Sequence, residues 1–375
     1  MKAYSFFDSR EFLGQKENSP HLYAHASKGL VYIPFSLDLD QWRRLLLVDF
    51  AGDSKYHAIE LLVLHNEFSQ GAVVVLYNKD GNVDGYYSRN LSNFMGTSLE
   101  KLHWAENYNL IGEADIDYLF EISEKGVDTY LKMTDQYGAV IEVRVKENHP
   151  KKEFQDLLAA LDFLKNNNPE FFPFMYLHKF SFVTYQGTEF RIMINGEERT
   201  PLMLPIKRMG EDLYHSRYSD DPCLGYLNRN FRGILKHVEI EDNKCKVNNT
   251  THTFIENAGH YELSQMSCAS DKHKVYFQFS PPVPDLVCLR EDARIQGRFA
   301  VGIDGRSGVL GWEYNVERNV DKIRIAADPI IGFHPPGPGP VWFKTYGWIA
   351  DIKISKDEVS MESNWIRRKL IVADL

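Results

Sequence analysis

The stretch DIDYLFEISEKGVDTYLKMTDQYGAVIEVRVK, residues 115–146, decides the fold class. Ile116, Tyr118, Phe120 and Ile122 alternate with Asp115, Asp117, Leu119 and Glu121. After the turn sequence Ser123-Glu124-Lys125-Gly126, Val127, Thr129, Leu131 and Met133 alternate with Asp128, Tyr130 and Lys132. A third run follows Gln136-Tyr137-Gly138 and sets Ala139, Ile141, Val143 and Val145 against Glu142, Arg144 and Lys146. Successive side chains of a strand point to opposite faces. A period of two therefore predicts a three-stranded antiparallel meander with one face on a core and the other in water.

The same grammar extends outward on both sides. Upstream, Leu45-Leu46-Leu47-Val48 and Ala72-Val73-Val74-Val75-Leu76-Tyr77 are nearly continuous apolar runs, which implies strands covered on both faces. Downstream, strand patterns cover 174–185, 189–194, 261–268, 274–280, 299–304, 309–316, 322–327 and 349–354. Asp80-Gly81, Asn195-Gly196 and Asp304-Gly305 are tight-turn signals, because glycine tolerates a positive φ. Residues 205–250 are less regular and read as long loops with a strand or two, with Asp220-Asp221-Pro222 as a solvated turn.

One stretch breaks the pattern. Phe154, Leu157, Leu158, Leu161 and Leu164 recur at steps of three and four between Pro150 and Pro169. That spacing predicts an amphipathic helix near 151–165. The expected organisation is an N-terminal β unit over 1–149, a connecting helix over 150–169 and a C-terminal β unit with long loops over 170–375. The fold class is all-β, mainly antiparallel: two β-sandwich or β-barrel units, lipocalin-like barrels among the options, joined by one helix.

Composition narrows the function classes. The 375 residues carry a net charge of −9 and no long basic block, so the broad basic footprint of a nucleic-acid partner is missing. Residues 1–20 lack the apolar core of a signal peptide, and no apolar run reaches the length of a membrane span. A cytoplasmic address follows as the expectation. Cys223, Cys245, Cys268 and Cys288 show no C-x-x-C pair, so reduced thiols without zinc are expected. No dinucleotide, P-loop, zincin or nucleophile-elbow motif is present, and no cofactor is implied.

Three constellations remain. Residues 328–348 hold a Pro/Gly-rich loop with His334 at its centre, followed by Trp342, Tyr346 and Trp348. A stiff loop of this kind suits the wall of a pocket. His260 and Glu262 stand two apart in a strand and share one face, an arrangement suited to acid–base chemistry or to two ligands of a metal site that His252, His273 or His334 would complete. Leu310, Trp312, Tyr314 and Val316 form an apolar stripe that would line a barrel interior.

The functional expectation is a protein that binds a hydrophobic or isoprenoid-like small molecule in an internal cavity, with isomerase or hydratase activity as an extension. Trp312, Tyr314, Trp342, Tyr346 and Trp348 would bind the ligand, and His260, Glu262 and His334 would act as catalytic groups. The alternatives are a carbohydrate-active β-sandwich enzyme using the His/Glu pair and a non-catalytic interaction protein.

Overall fold

The 115–146 stretch folds as its alternation requires. Strands Asp117–Ser123, Gly126–Thr134 and Val140–Glu147 pair antiparallel, with Phe120 opposite Thr129 and Leu131 opposite both Tyr118 and Val143. Phe120, Val127, Leu131, Met133, Ile141, Val143 and Val145 are buried on one face. The turns fall at Gly126 and Gly138, whose φ values of 104° and 83° favour glycine. The computed structural model describes residues 12–14, 16–27, 29–65, 70–91, 108–150, 154–161, 169–208, 210–269, 273–303, 310–332, 342–356 and 358–367.

Contacts divide the chain into two units that are interleaved in sequence, where the pattern of strands suggests consecutive blocks of 1–149 and 170–375. One unit comprises Met1–Asp40, Leu157–Tyr176 and Cys223–Leu375, and the other Gln41–Asp156 and Leu177–Pro222. The chain passes between them at 40/41, 156/157, 176/177 and 222/223.

In the unit built from 41–156 and 177–222, the meander continues through Thr188–Ile194 and Glu197–Pro201 to Arg44–Ala51, Tyr56–His65, Gln70–Asn78 and Val83–Ser88. Tyr108–Ala114 then joins the edge in parallel. Ala72 to Leu76 are buried on both faces, as their unbroken apolar run implies. Glu147 is buried beneath the 126 turn and accepts hydrogen bonds from Val127 N (3.1 Å), Thr184 N (2.8 Å), Thr184 Oγ1 (2.7 Å) and Tyr218 Oη (2.8 Å). A buried carboxylate needs such partners.

The other unit is a ten-stranded antiparallel half-barrel. From Lys244–Val247 each strand pairs with the next through Thr250–Asn257, His260–Ala269, Lys274–Val283, Arg294–Ile303, Leu310–Asn319, Lys322–Ile331, Tyr346–Ile354 and Val359–Arg367, and Phe231–Ile234 closes the far edge. Its inner face is aromatic. Phe299 stacks on Trp312 with ring centroids 5.0 Å apart, Phe172 meets Trp312 at 5.1 Å, and Phe35 meets Trp348 at 5.3 Å.

Two local readings are corrected. The described residues of 150–169 hold no connecting helix: Gln155–Ala160 is a strand paired with Phe172–Thr184, while 151–153 and 162–168 lie outside the described residues. Leu158 and Ala160 face inward two apart, whereas Leu157 is only half-buried. A short run of adjacent leucines fits both periods, and pairing with a distant strand decides between them. Asp156 Oδ1 anchors the strand by accepting from Lys179 N at 3.0 Å and meeting His178 Nδ1 at 3.0 Å.

Residues 205–250, read as loops, are largely strand, including the seventeen-residue Glu211–Leu227. The Asp220-Asp221-Pro222 tract is no solvated turn. Asp221 is buried with φ at +49°, and its N–H donates to Arg43 O at 2.7 Å. Aspartate tolerates the left-handed region, so the strand kinks there without ending.

Candidate functional site

His260 follows a tight hairpin turn. Ala258 and Gly259 both adopt positive φ, 51° and 79°, and Asn257 pairs directly with His260. Two such residues make the turn whose twist matches antiparallel strands. His260 and Glu262 therefore share a face, as their spacing predicts, and both are buried, Glu262 at 0% exposure.

They do not act on one another. Glu262 accepts three hydrogen bonds: from Tyr23 Oη, from Asn18 Nδ2 at 3.1 Å and from Asn257 Nδ2 at 2.9 Å. His260 turns its Nδ1 to Asp285 Oδ2 at 3.2 Å, and the Tyr23 ring lies flat on the imidazole with centroids 3.7 Å apart. Tyr23 is placed by backbone: Ala24 N donates to Cys288 O at 2.9 Å and Arg290 N to Leu22 O at 2.8 Å. Burial, together with the Glu262 carboxylate, raises the Tyr23 hydroxyl well above the ordinary tyrosine range, so it stays a proton donor.

Asp285 precedes, and Cys288 ends, the short 3₁₀ turn Leu286–Cys288. In such a turn residues three apart eclipse, which aligns their side chains. Asp285 occupies the N-cap position, yet its side chain makes no capping bond. His260, Asp285 and Cys288 bring one ligand atom each within 4.8 Å of one another, and all three are buried. Among the described residues no other group of His, Cys, Asp or Glu does so. Asp285 and Cys288 are the residues that sequence reasoning missed. The signal is Asp-x-x-Cys after Ser-Pro-Pro-Val-Pro; the lack of a C-x-x-C pair sets Cys288 aside as a zinc-free thiol.

The other expected site residues divide. Trp312, Tyr314, Tyr346 and Trp348 are all buried on the inner face of the half-barrel. Tyr314 Oη donates to Pro281 O, and the Glu262 charge adds to burial in raising its pKa, so this ring adjoins the Glu262 network. His334 lies outside the described residues, and of Trp342 only the backbone, at the start of the turn Trp342–Thr345, is described. His252 and His273 are not part of the three-residue group. The four cysteines form no disulfide.

The outer face carries an open groove of about 520 Å³ lined by Arg232, Lys322, Arg324, Lys353, Asp351 and Glu362 among others. Arg324 is spent within it on a two-point ion pair with Asp351, at 2.7 and 2.9 Å. Exposed pairs of this kind add little. Among the described residues no helix is long and apolar enough to cross a membrane. The sequence matches no protein-family model and no curated relative.

Proposed function

We propose that the half-barrel binds a small, largely apolar molecule, isoprenoid-like in its hydrocarbon character, that carries a hydrogen-bond acceptor such as a carbonyl or hydroxyl oxygen. One observation carries the reading. The indole Nε1 atoms of Trp312 and Trp348 and the hydroxyl of Ser363 are buried on the inner face of the same sheet without a hydrogen-bond partner among the described residues. Two other polar groups of that core are satisfied: Trp365 Nε1 donates to Asn228 O at 2.6 Å, and Tyr314 to Pro281 O. Each unmet buried donor costs about 1–3 kcal/mol, so an acceptor supplied by a ligand would recover energy the fold otherwise forfeits. The small residues Ala327, opposite both Tyr314 and Trp348, and Ala350, opposite Ser363, flank these groups on the inner face.

The carbohydrate-enzyme reading gains nothing comparable, because His260 and Glu262 lie buried under Tyr23 and already hold partners. The test is native mass spectrometry of the protein purified from the cells that make it, beside Trp312→Phe and Trp348→Phe. Phenylalanine keeps the ring and removes the donor. A retained organic mass that is diminished in both variants is the expected result. A parent with no retained molecule, whose variants are more stable than it, would overturn the reading.

A further inference from the structure

We infer that His260, Asp285 and Cys288 form a binding site for one divalent transition-metal ion of the zinc type. The inference stands apart from the ligand reading above and reverses the expectation that every thiol is metal-free.

It rests on a contrast between two neighbouring carboxylates. Glu262 and Asp285 are both buried, at 0% and 2% exposure. Glu262 is fully engaged, with three donors on its two oxygens. Asp285 has His260 on Oδ2, and its Oδ1 is buried without a hydrogen-bond partner. Among the described residues no lysine or arginine forms an ion pair with either carboxylate. A buried acid left half-satisfied is costly unless a cation completes it.

The donor set and its charge fit one class of ion. Imidazole nitrogen, carboxylate oxygen and thiolate sulfur together select zinc and its neighbours over magnesium or calcium, which prefer oxygen alone. A divalent ion with one carboxylate, one thiolate and a neutral imidazole is a neutral assembly, the form that burial tolerates best. On binding, the Cys288 thiol loses its proton to solvent and its sulfur donates to the metal.

The geometry also fits. Tetrahedral bonds of about 2.0–2.1 Å place N and O donors about 3.3 Å apart, close to the 3.2 Å between His260 Nδ1 and Asp285 Oδ2. The sulfur, within 4.8 Å of both, needs to approach by no more than about 1.3 Å to reach its own tetrahedral edge. Tyr23 stacks on the face of the imidazole, and stacking leaves the in-plane lone pairs available. Asp285 forgoes its capping bond to face this group, although an N-cap aspartate ordinarily caps its own turn. Three protein donors leave one tetrahedral position for a water or small anion.

The test uses the full chain under reducing conditions. Elemental analysis of the protein as isolated comes first. A portion is then unfolded with chelator and refolded with Co²⁺ alone, so that burial cannot block entry. The expected result is about one equivalent of metal and, in the cobalt form, a thiolate-to-metal charge-transfer band that Zn²⁺ bleaches. Cys288→Ser should lose that band, while Cys245→Ser, whose thiol lies outside the group, should keep it. Asp285→Asn should raise the Co²⁺ Kd by on the order of tenfold or more. A parent that is metal-free as isolated and shows no charge-transfer band after refolding with Co²⁺ would overturn the site, as would a band that survives in Cys288→Ser.

Discussion

Removing the imidazole of His252 should flatten the acid limb of the stability curve of the half-barrel unit. His252 lies on Thr250–Asn257, is 2% exposed, and is held by burial at a pKa of about 4, against an ordinary 6.5. The sign follows from proton counting. Below pH 6.5 the unfolded chain protonates this group, while the folded protein resists until about pH 4. The unfolded state therefore binds more protons across that window, and stability falls as pH falls through it. At about 1.36 kcal/mol per pH unit, the full effect is about 3.4 kcal/mol, of which about 2.4 kcal/mol falls between about pH 7 and about pH 4.5.

His252→Gln removes the titration and keeps a polar side chain. Urea unfolding of parent and variant at the two pH values, followed by tryptophan fluorescence, gives the double difference in which other titrating groups cancel. Trp312, Trp348 and Trp365 belong to the same unit as His252 and report on it. The parent should lose about 2 kcal/mol more than the variant on acidification. Equal losses would refute the argument that this histidine is buried in its neutral form.

Two further predictions concern the strands. Gly126→Ala should destabilise by at least about 3 kcal/mol and Gly138→Ala by about 1 kcal/mol. Both have positive φ, but only at 126 would a Cβ lie 2.0 Å from Glu147 Oε2 and push that carboxylate off its donors; equal midpoints in urea would show that the carboxylate does not matter. Leu158→Asp should cost about 3 kcal/mol or more and Leu157→Asp less than half of that, because only Leu158 faces the core of its strand. Equal losses in thermal melts would favour helical packing instead.

These contrasts mark where the chain was legible. The 115–146 meander was legible because charge and hydrophobicity alternate through most of it, Leu119 and Tyr130 apart, and glycine marks each turn. Around Leu157 the same code is ambiguous, since two adjacent leucines satisfy both periods and the deciding partner strand begins at Phe172. At the candidate site, the i, i+2 spacing of His260 and Glu262 gave a shared face but not which side of the sheet it was. Tyr23, Asp285 and Cys288 reach that site through contacts spanning up to some 260 residues, such as Cys288 Sγ with Ala26 O. No local pattern encodes such an approach. The kink at Asp221 hid for a related reason: Asp-Asp-Pro is ordinary turn chemistry, and only burial separates a bend within a strand from its end.

The interleaving of the two units sets an order for their birth on the ribosome. Everything the 41–156 and 177–222 unit requires has been made once Pro222 emerges, so it can close while synthesis continues. The half-barrel cannot. Phe35 packs on Phe279, Phe299 and Trp348, and Leu22 and Tyr23 meet Leu289 and Arg290. Leu22, Tyr23 and Phe35 must therefore wait, with their side chains uncovered, until the strands they pack on are translated. That interval is when this chain is most exposed to aggregation and to chaperone capture, and shortening it, by moving the leading segment next to the sheet it completes, is the rearrangement its topology invites.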